Sequence, residues 1–334
     1  MQENNINYPK FKVCVRCFTF NQAKYITDAL NGFTMQQTDF PFVCCIVDDA
    51  STDGEQQVIM EYVQEHFDMS DASVSYRKET DYADITYAQH KENKNCYFAV
   101  LFLKENHYSQ RKDKMPYLSE WRDNTEYEAL CEGDDYWIHP QKLQMQVDSL
   151  DLHHEVDMCA CGTLCMKDGK RNGKISPSSN GCILSTEDTI LGGGGFLGTN
   201  SLLYRTYINK DDYIFWKYLK LDYFLQIHGS LRGGIFYVPN FMSVYRLSAD
   251  NSWTKRMSLD KRRYFFHVEK VNEALAIFDY ETDCKYHNII QQKKSYNYYS
   301  LLSNGFQSGM LLKYCTKKNR LRLLILVLKS LFVK

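Results

Sequence analysis

Two apolar runs, FKVCVRCFTF at 11–20 and FPFVCCIV at 40–47, flank a stretch of helical periodicity, and that spacing limits the possible folds more than any other feature. Both runs are rich in β-branched residues, Cys and aromatics, which suits buried strands. Between them, Ala23, Ile26, Ala29 and Leu30 recur at helical spacing up to Gly32. After the second run, EQQVIMEYVQEHF puts Val58, Ile59, Tyr62, Val63 and Phe67 on one helical face, and ASVSYR (72–77) reads as a third strand. Strand, helix, strand, helix, strand predicts a parallel sheet with helical crossovers.

Further along, NKNCYFAVLFLKEN (93–106) is long and mixed and is expected to be a helix. Residues 107–126 are polar, contain Pro116 and read as a surface insertion. EYEALC (126–131) is the next strand, and HPQKLQMQVDSL (139–150) a helix with Pro140 in its first turn and Leu143, Val147 and Leu150 in line. Beyond residue 155, EVDMCACGTLCM, TNSLLYR, GGIFYVP and MSVYR read as strands and WKYLKLDYFLQIHGSL as a helix. The GGGG at 192–195 reads as a flexible join, and helices alone are expected from about 257 onward.

A net charge of −1 with 24% charged residues gives no global field for nucleic acid. The N-terminal MQENNINYPK has no apolar core of a secretory signal, so the twelve cysteines are expected to be reduced and the compartment cytoplasmic. Cys159, Cys161 and Cys165 lack the paired spacing of a structural zinc site and are expected on a buried strand.

In open α/β sheets, ligands bind beyond the carboxyl ends of the strands. Asp48 and Asp49 follow the second strand, and Glu132, Asp134 and Asp135 in EGDDYW follow the strand at 126–131. Ser51, Thr52 and Asp53 make good helix caps, but capping does not account for two adjacent Asp at a strand end or for the second cluster. Clustered carboxylates without His or Cys suit Mg²⁺ or Mn²⁺ with a phosphate-bearing ligand. No P-loop is present and no G-x-G-x-x-G follows the first strand; the GGGG at 192–195 lies too far along the chain, ahead of a strand, to read as a phosphate cradle.

These residues resemble the family 2 glycosyltransferases of the GT-A fold from residue 11 to about 253, on CFTFNQAKYITDALNGFTMQQTDFPF, VDDASTDG, NKNCYF, CEGDDYWIHPQKLQMQVDSL, FLGTNSLLYR and LDYFLQIHGSLRGGIFYVPNFMSVYR. The resemblance implies an α/β nucleotide-diphospho-sugar transferase fold, a mostly parallel central sheet flanked by helices with a helical C-terminal extension. It divides the chain into a transferase domain at 1–255, with a nucleotide half at about 11–150 and an acceptor half at about 151–255, and an extension at 256–334. It implies inverting transfer of a sugar from a nucleotide-sugar donor, UDP-linked, to a glycan or lipid-linked acceptor in surface polysaccharide or lipopolysaccharide assembly.

By the same resemblance, Thr19, Asp48 and Asp49 hold the nucleoside. Asp134 and Asp135 contact ribose and a diphosphate-bound Mg²⁺ or Mn²⁺, with Arg246 paired either with a phosphate or with the acidic cluster. Asp222 is the general base, with a helix N-cap as its alternative, and Glu132, Trp137 and Asn200 belong to the acceptor side and the remainder of the site, core packing being at least an equal reading for Tyr136 and Trp137. Ser248 replaces the usual His after the last strand. The basic, Leu-rich segment at 317–334 would contact a membrane surface peripherally, or dock on the core or a second subunit. A nucleotidyltransferase of similar fold and a non-catalytic sugar-nucleotide or carbohydrate-binding protein are the alternatives.

Overall fold

The computed structural model describes residues 8–247, 249, 257 and 260–303. Its strands are β1 (Val13–Thr19), β2 (Phe42–Asp48), β3 (Tyr76–Glu79), β4 (Ala83–Gln89), β5 (Cys96–Leu103), β6 (Tyr127–Leu130), β7 (Tyr136–Trp137), β8 (Met158–Lys167), β9 (Lys170–Ile175), β10 (Cys182–Leu184), β11 (Leu203–Arg205) and β12 (Ile235–Arg246). The α-helices are α1 (Ile26–Thr34), α2 (Glu55–His66), α3 (His107–Gln110), α4 (Ser119–Arg122), α5 (Lys142–Leu152), α6 (Thr186–Gly192), α7 (Ile214–Tyr218), α8 (Asp222–Ser230), α9 (Lys261–Glu281) and α10 (His287–Ser303).

The chain divides into two compact units. One comprises Met1–Ser185, Gly195–Asp211 and Gly229–Asp250, the other Thr186–Gly194, Asp212–His228 and Asn251–Lys334. The first holds a mixed sheet in the order β10-β12-β8-β11-β6-β1-β2-β5-β4-β3, with β7 on β12 and β9 on β8. Its centre, β6-β1-β2-β5, is parallel, and both flanks carry antiparallel pairings. Alternating side chains of the central strands feed two cores. Val13, Val15, Phe42, Cys44 and Ile46 pack beneath α1, α2 and α5, while Cys14, Val43, Cys45 and Val47 face the opposite layer with Leu118 and Trp121. Each large apolar side chain buried this way contributes about 1.5–3 kcal/mol.

Residues 96–103 are a strand, not the helix expected from their length. CYFAVLFL lies between β2 and β4, parallel to β2, and seven of its eight side chains are buried. A strand covered on both faces shows no alternation, so periodicity cannot separate it from a buried helix, and its β-branched and aromatic content decides. The segment at 107–126 is likewise not a plain surface insertion: α3, α4 and the 3-10 turn Met115–Leu118 carry His107, Leu118 and Trp121 into the core. Residues 235–246 form one strand, bulged around Val238–Ser243, where two were expected. Pro140 precedes α5, whose first residue is Lys142. The cysteines of β8 are buried and free.

The second unit is helical. The expected helix at 216–231 is broken into α7 and α8, since the chain is extended at Leu219 (φ −144°). Phe215 of α7 packs edge-on against Phe278 of α9, 4.9 Å between ring centroids. The Glu281 carboxylate accepts from the Ile214 and Phe215 amides at 2.7 and 2.8 Å, capping α7. Of the GGGG at 192–195, read as a flexible join, Gly192 ends α6 and Gly193–Gly195 form a 3-10 turn. A Cβ at Gly193 would meet Lys293 Nζ at 2.4 Å, and that ammonium donates to Leu191 O. No helix among the described residues is long and apolar enough to cross a membrane. The segment at 317–334 and Ser248 lie outside the described residues.

Candidate active site at the carboxyl edge of the parallel strands

The parallel register sets Thr19 of β1 opposite Asp48 of β2, and the Asp49 amide donates to Thr19 O at 3.0 Å. Beyond β6 the chain continues along β1, with the Cys131 amide on Arg16 O (3.1 Å) and the Gly133 amide on Phe18 O (3.2 Å). Both acidic clusters therefore lie at the carboxyl ends of adjacent strands, where such sheets bind ligands. Gly133 permits this approach, since a Cβ there would lie 2.1 Å from Thr19 Oγ1.

The two Asp pairs have different surroundings. Asp49 is fully buried and accepts from the amides of His107 (2.7 Å) and Tyr108 (3.0 Å) and from Lys114 Nζ (3.0 Å), so its carboxylate ties down the 107–122 segment. Asp48 accepts through Oδ1 from the Ser51 amide (3.1 Å) and Gln56 Nε2 (2.6 Å), while Oδ2 is buried without a partner. Burial raises the Asp48 pKa.

Asp135 is 2% exposed, and its Oδ1 accepts from the Arg246 amide at 2.9 Å. Burial first, and the neighbouring Asp134 charge second, push its pKa well up; burial also raises that of Asp134. Arg246 is sandwiched between Tyr136 (4.3 Å) and Tyr25 (5.1 Å). Its guanidinium donates to Asp134 O at 2.7 Å and pairs with Asp28, so it meets a carbonyl and a different carboxylate. Among the described residues, no Lys or Arg side chain pairs with the carboxylate of Asp134 or Asp135. The nearby Arg246 charge lowers both pKa values without overcoming burial, and two adjacent carboxylates with no direct ion pair among the described residues suit a hard divalent cation.

Four residues outside the sequence expectation shape this edge. Glu55 is fully buried at the start of α2 and accepts from Thr19 Oγ1, the Gln22 amide (2.8 Å) and Ser51 Oγ (2.9 Å), so it links the loops after β1 and β2. Its sequence signal, an acid after a turn, is that of an ordinary helix N-terminus. Ser51 supplies the other side of that link, also accepting from the Asn21 amide at 2.8 Å. Lys114 and Asp28 carried no signal, because their partners are 65 and 218 residues away.

Trp137 and Asn200 are buried in the core, the packing reading the sequence allowed for Trp137. Trp137 is 1% exposed; its Nε1 donates to Asn200 O at 2.8 Å, and Lys142 Nζ lies 4.2 Å over the ring. Asn200 is fully buried and donates to Val244 O at 2.7 Å. Glu132 is partly exposed at the site's edge. Asp222 is the first residue of α8, in the second unit.

No family model matches the chain. Uncharacterized proteins of Mycobacterium bovis and Mycobacterium tuberculosis are 32% identical to it over 248 residues, 74% of this chain and 62% of theirs. The match thus spans less than two thirds of the length of those curated relatives. Among solved structures, S. aureus TarS is 18% identical with a TM-score of 0.50, covering 96% of this chain and 53% of that one. The mannosyltransferase PcManGT of Pyrobaculum calidifontis, solved with GDP-Man and Mn²⁺, is 13% identical with a TM-score of 0.49, covering 98% and 82%. With the parallel centre, its antiparallel flanks and the acidic strand ends in place, the likeness to TarS shows the architecture: the chain has the GT-A glycosyltransferase fold.

Proposed function

We propose that this protein is an inverting, metal-dependent family 2 glycosyltransferase that moves a sugar from a UDP-linked donor to a glycan or lipid-linked acceptor in bacterial surface-polysaccharide assembly. One observation carries the reading: Asp135, buried, and Asp134, partly buried, stand side by side at the carboxyl edge of parallel strands, and among the described residues no Lys or Arg makes a direct ion pair with either carboxylate. In this reading residues 1–255 form the transferase domain and 256–334 an extension, and the protein works at the cytoplasmic face of a membrane.

Asp134 and Asp135 would hold Mg²⁺ or Mn²⁺, which when bound offsets the negative charge growing on the departing diphosphate. Thr19, Asp48 and Asp49 shape the nucleoside end. Thr19 is oriented by Glu55, and the orphan Oδ2 of Asp48 is an acceptor still to be satisfied. Asp49 reads a base only after Lys114 and the amides of His107 and Tyr108 release it. Arg246, held flat between two tyrosines, exchanges Asp28 for a phosphate oxygen. Asp222 takes the proton from the attacking hydroxyl.

Calorimetric titration of UDP with Mn²⁺, then with EDTA, tests the reading. Binding that needs the metal and is lost in Asp135→Ala supports it; no binding under either condition sinks the UDP site. Asp222→Asn should abolish turnover and leave UDP affinity intact, and unchanged turnover removes Asp222 as the base.

A further inference from the structure

Among the described cysteines, Cys284 alone is exposed; Cys182 is partly exposed and the others are buried. It lies in the turn between α9 and α10, where Asp283 and Cys284 both take left-handed backbone angles (φ 49° and 61°). For non-glycine residues each costs on the order of 1 kcal/mol. The turn is held by its backbone. The Cys284 amide donates to Asp279 O at 2.8 Å, Lys285 to Thr282 O at 2.9 Å, and His287 to Cys284 O at 3.1 Å. Asp279, Cys284 and His287 are thereby fixed to one rigid element, and their ligand-capable atoms all lie within 4.8 Å of one another.

The carboxylate of Asp279 is the second observation. The residue is 8% exposed; Oδ2 accepts from His287 Nδ1 at 2.7 Å, but Oδ1 is buried without a hydrogen-bond partner. Leaving such an oxygen unsatisfied costs about 1–3 kcal/mol. A plain Asp–His pair accounts for Oδ2 only. It explains neither the orphan oxygen nor a thiol presented beside it.

We propose that Asp279, Cys284 and His287 bind one borderline divalent transition-metal ion of the Zn²⁺ class, with water completing the coordination. Nitrogen, sulfur and oxygen donors together select such an ion over Mg²⁺ or Ca²⁺, which favour oxygen alone. On binding, the imidazole hydrogen moves from Nδ1 to Nε2, freeing the Nδ1 lone pair for the metal; the ring is about half exposed (52%). The thiol releases its proton to solvent, so about one proton leaves per ion. The metal would staple the C-terminus of α9 to the start of α10. The inference is independent of the carboxylates at the sheet edge.

Co²⁺, used as the probe, is titrated into the full chain carrying Asp135→Ala, which disables the other proposed metal site. The expected result is one Co²⁺ per chain with a thiolate-to-cobalt absorption band, one proton released per ion, and displacement by Zn²⁺. Cys284→Ser, an exposed substitution, should remove the band, and His287→Ala should weaken binding roughly tenfold or more. Failure to bind Co²⁺, binding without the band, or a band that persists in Cys284→Ser overturns the proposal.

Discussion

VDDAS after β2 and GDDYW after β6 present the same acidic pair at the ends of strands that flank β1, yet the two pairs are differently satisfied. The carboxylate of Asp49 is surrounded by two amides and Lys114. That of Asp135 meets one amide, and among the described residues neither it nor Asp134 has a direct ion pair, Arg246 acting on both only as a nearby charge. The difference comes from what covers each strand end. The 107–122 segment folds over β2 and brings its own donors, whereas β12 brings Arg246, whose charge goes to Asp28. Equal local sequence therefore gives one carboxylate clamped by direct donors and one pair held without a direct ion pair among the described residues.

The strongest way to break this contrast is Asp135→Ala, expected to lower metal-dependent UDP binding by about 10²-fold or more, measured calorimetrically. Equal losses in Asp49→Ala and Asp135→Ala, each with its fold intact, would erase the distinction. Gly133→Ala comes next. Its Cβ would run into Thr19, which Glu55 holds in place, so the thermal midpoint should drop by the equivalent of about 1–3 kcal/mol. Lys114→Met should cost about 1 kcal/mol in denaturant unfolding, because two amides still serve Asp49. It should also raise proteolytic cleavage within 107–122, and unaltered cleavage would deny the clamp.

The smallest effect is a pH dependence. Burial raises the Glu55 pKa, so the folded state holds that proton more tightly than the unfolded chain does. The stability this contributes is present at low pH and is lost as pH rises from the ordinary carboxylate range through the raised value. Glu55→Gln has no such titration. Its deficit against the parent, followed by chemical unfolding across that range, should shrink as pH rises; a constant deficit would mean Glu55 is not shifted.

Much of the first unit could be read along the chain. The runs at 11–20 and 40–47 are strands, 55–66 a helix, and the acidic residues after β2 and β6 reach the same sheet edge. Each of these follows from local pattern plus the parallel-sheet rule. The helix expected at 96–103 failed for a physical reason. Residues 96–103 are apolar throughout because a strand with neighbours on both sides and layers on both faces leaves no polar face to mark its period. Trp137 stands beside the acidic motif in sequence but points into the core between Phe33 and Lys142.

Sequence alone determined which residues are apolar, where the chain turns, and that carboxylates end two strands. It determined this because propensity, alternation and turn chemistry act over a few residues. Tertiary structure decided which carboxylate is satisfied and which is not: Lys114 reaches Asp49 across 65 positions, and Arg246 reaches Asp28 across 218. A carboxylate's charge state depends on the donors and the burial that surround it, and residues distant in sequence supply both.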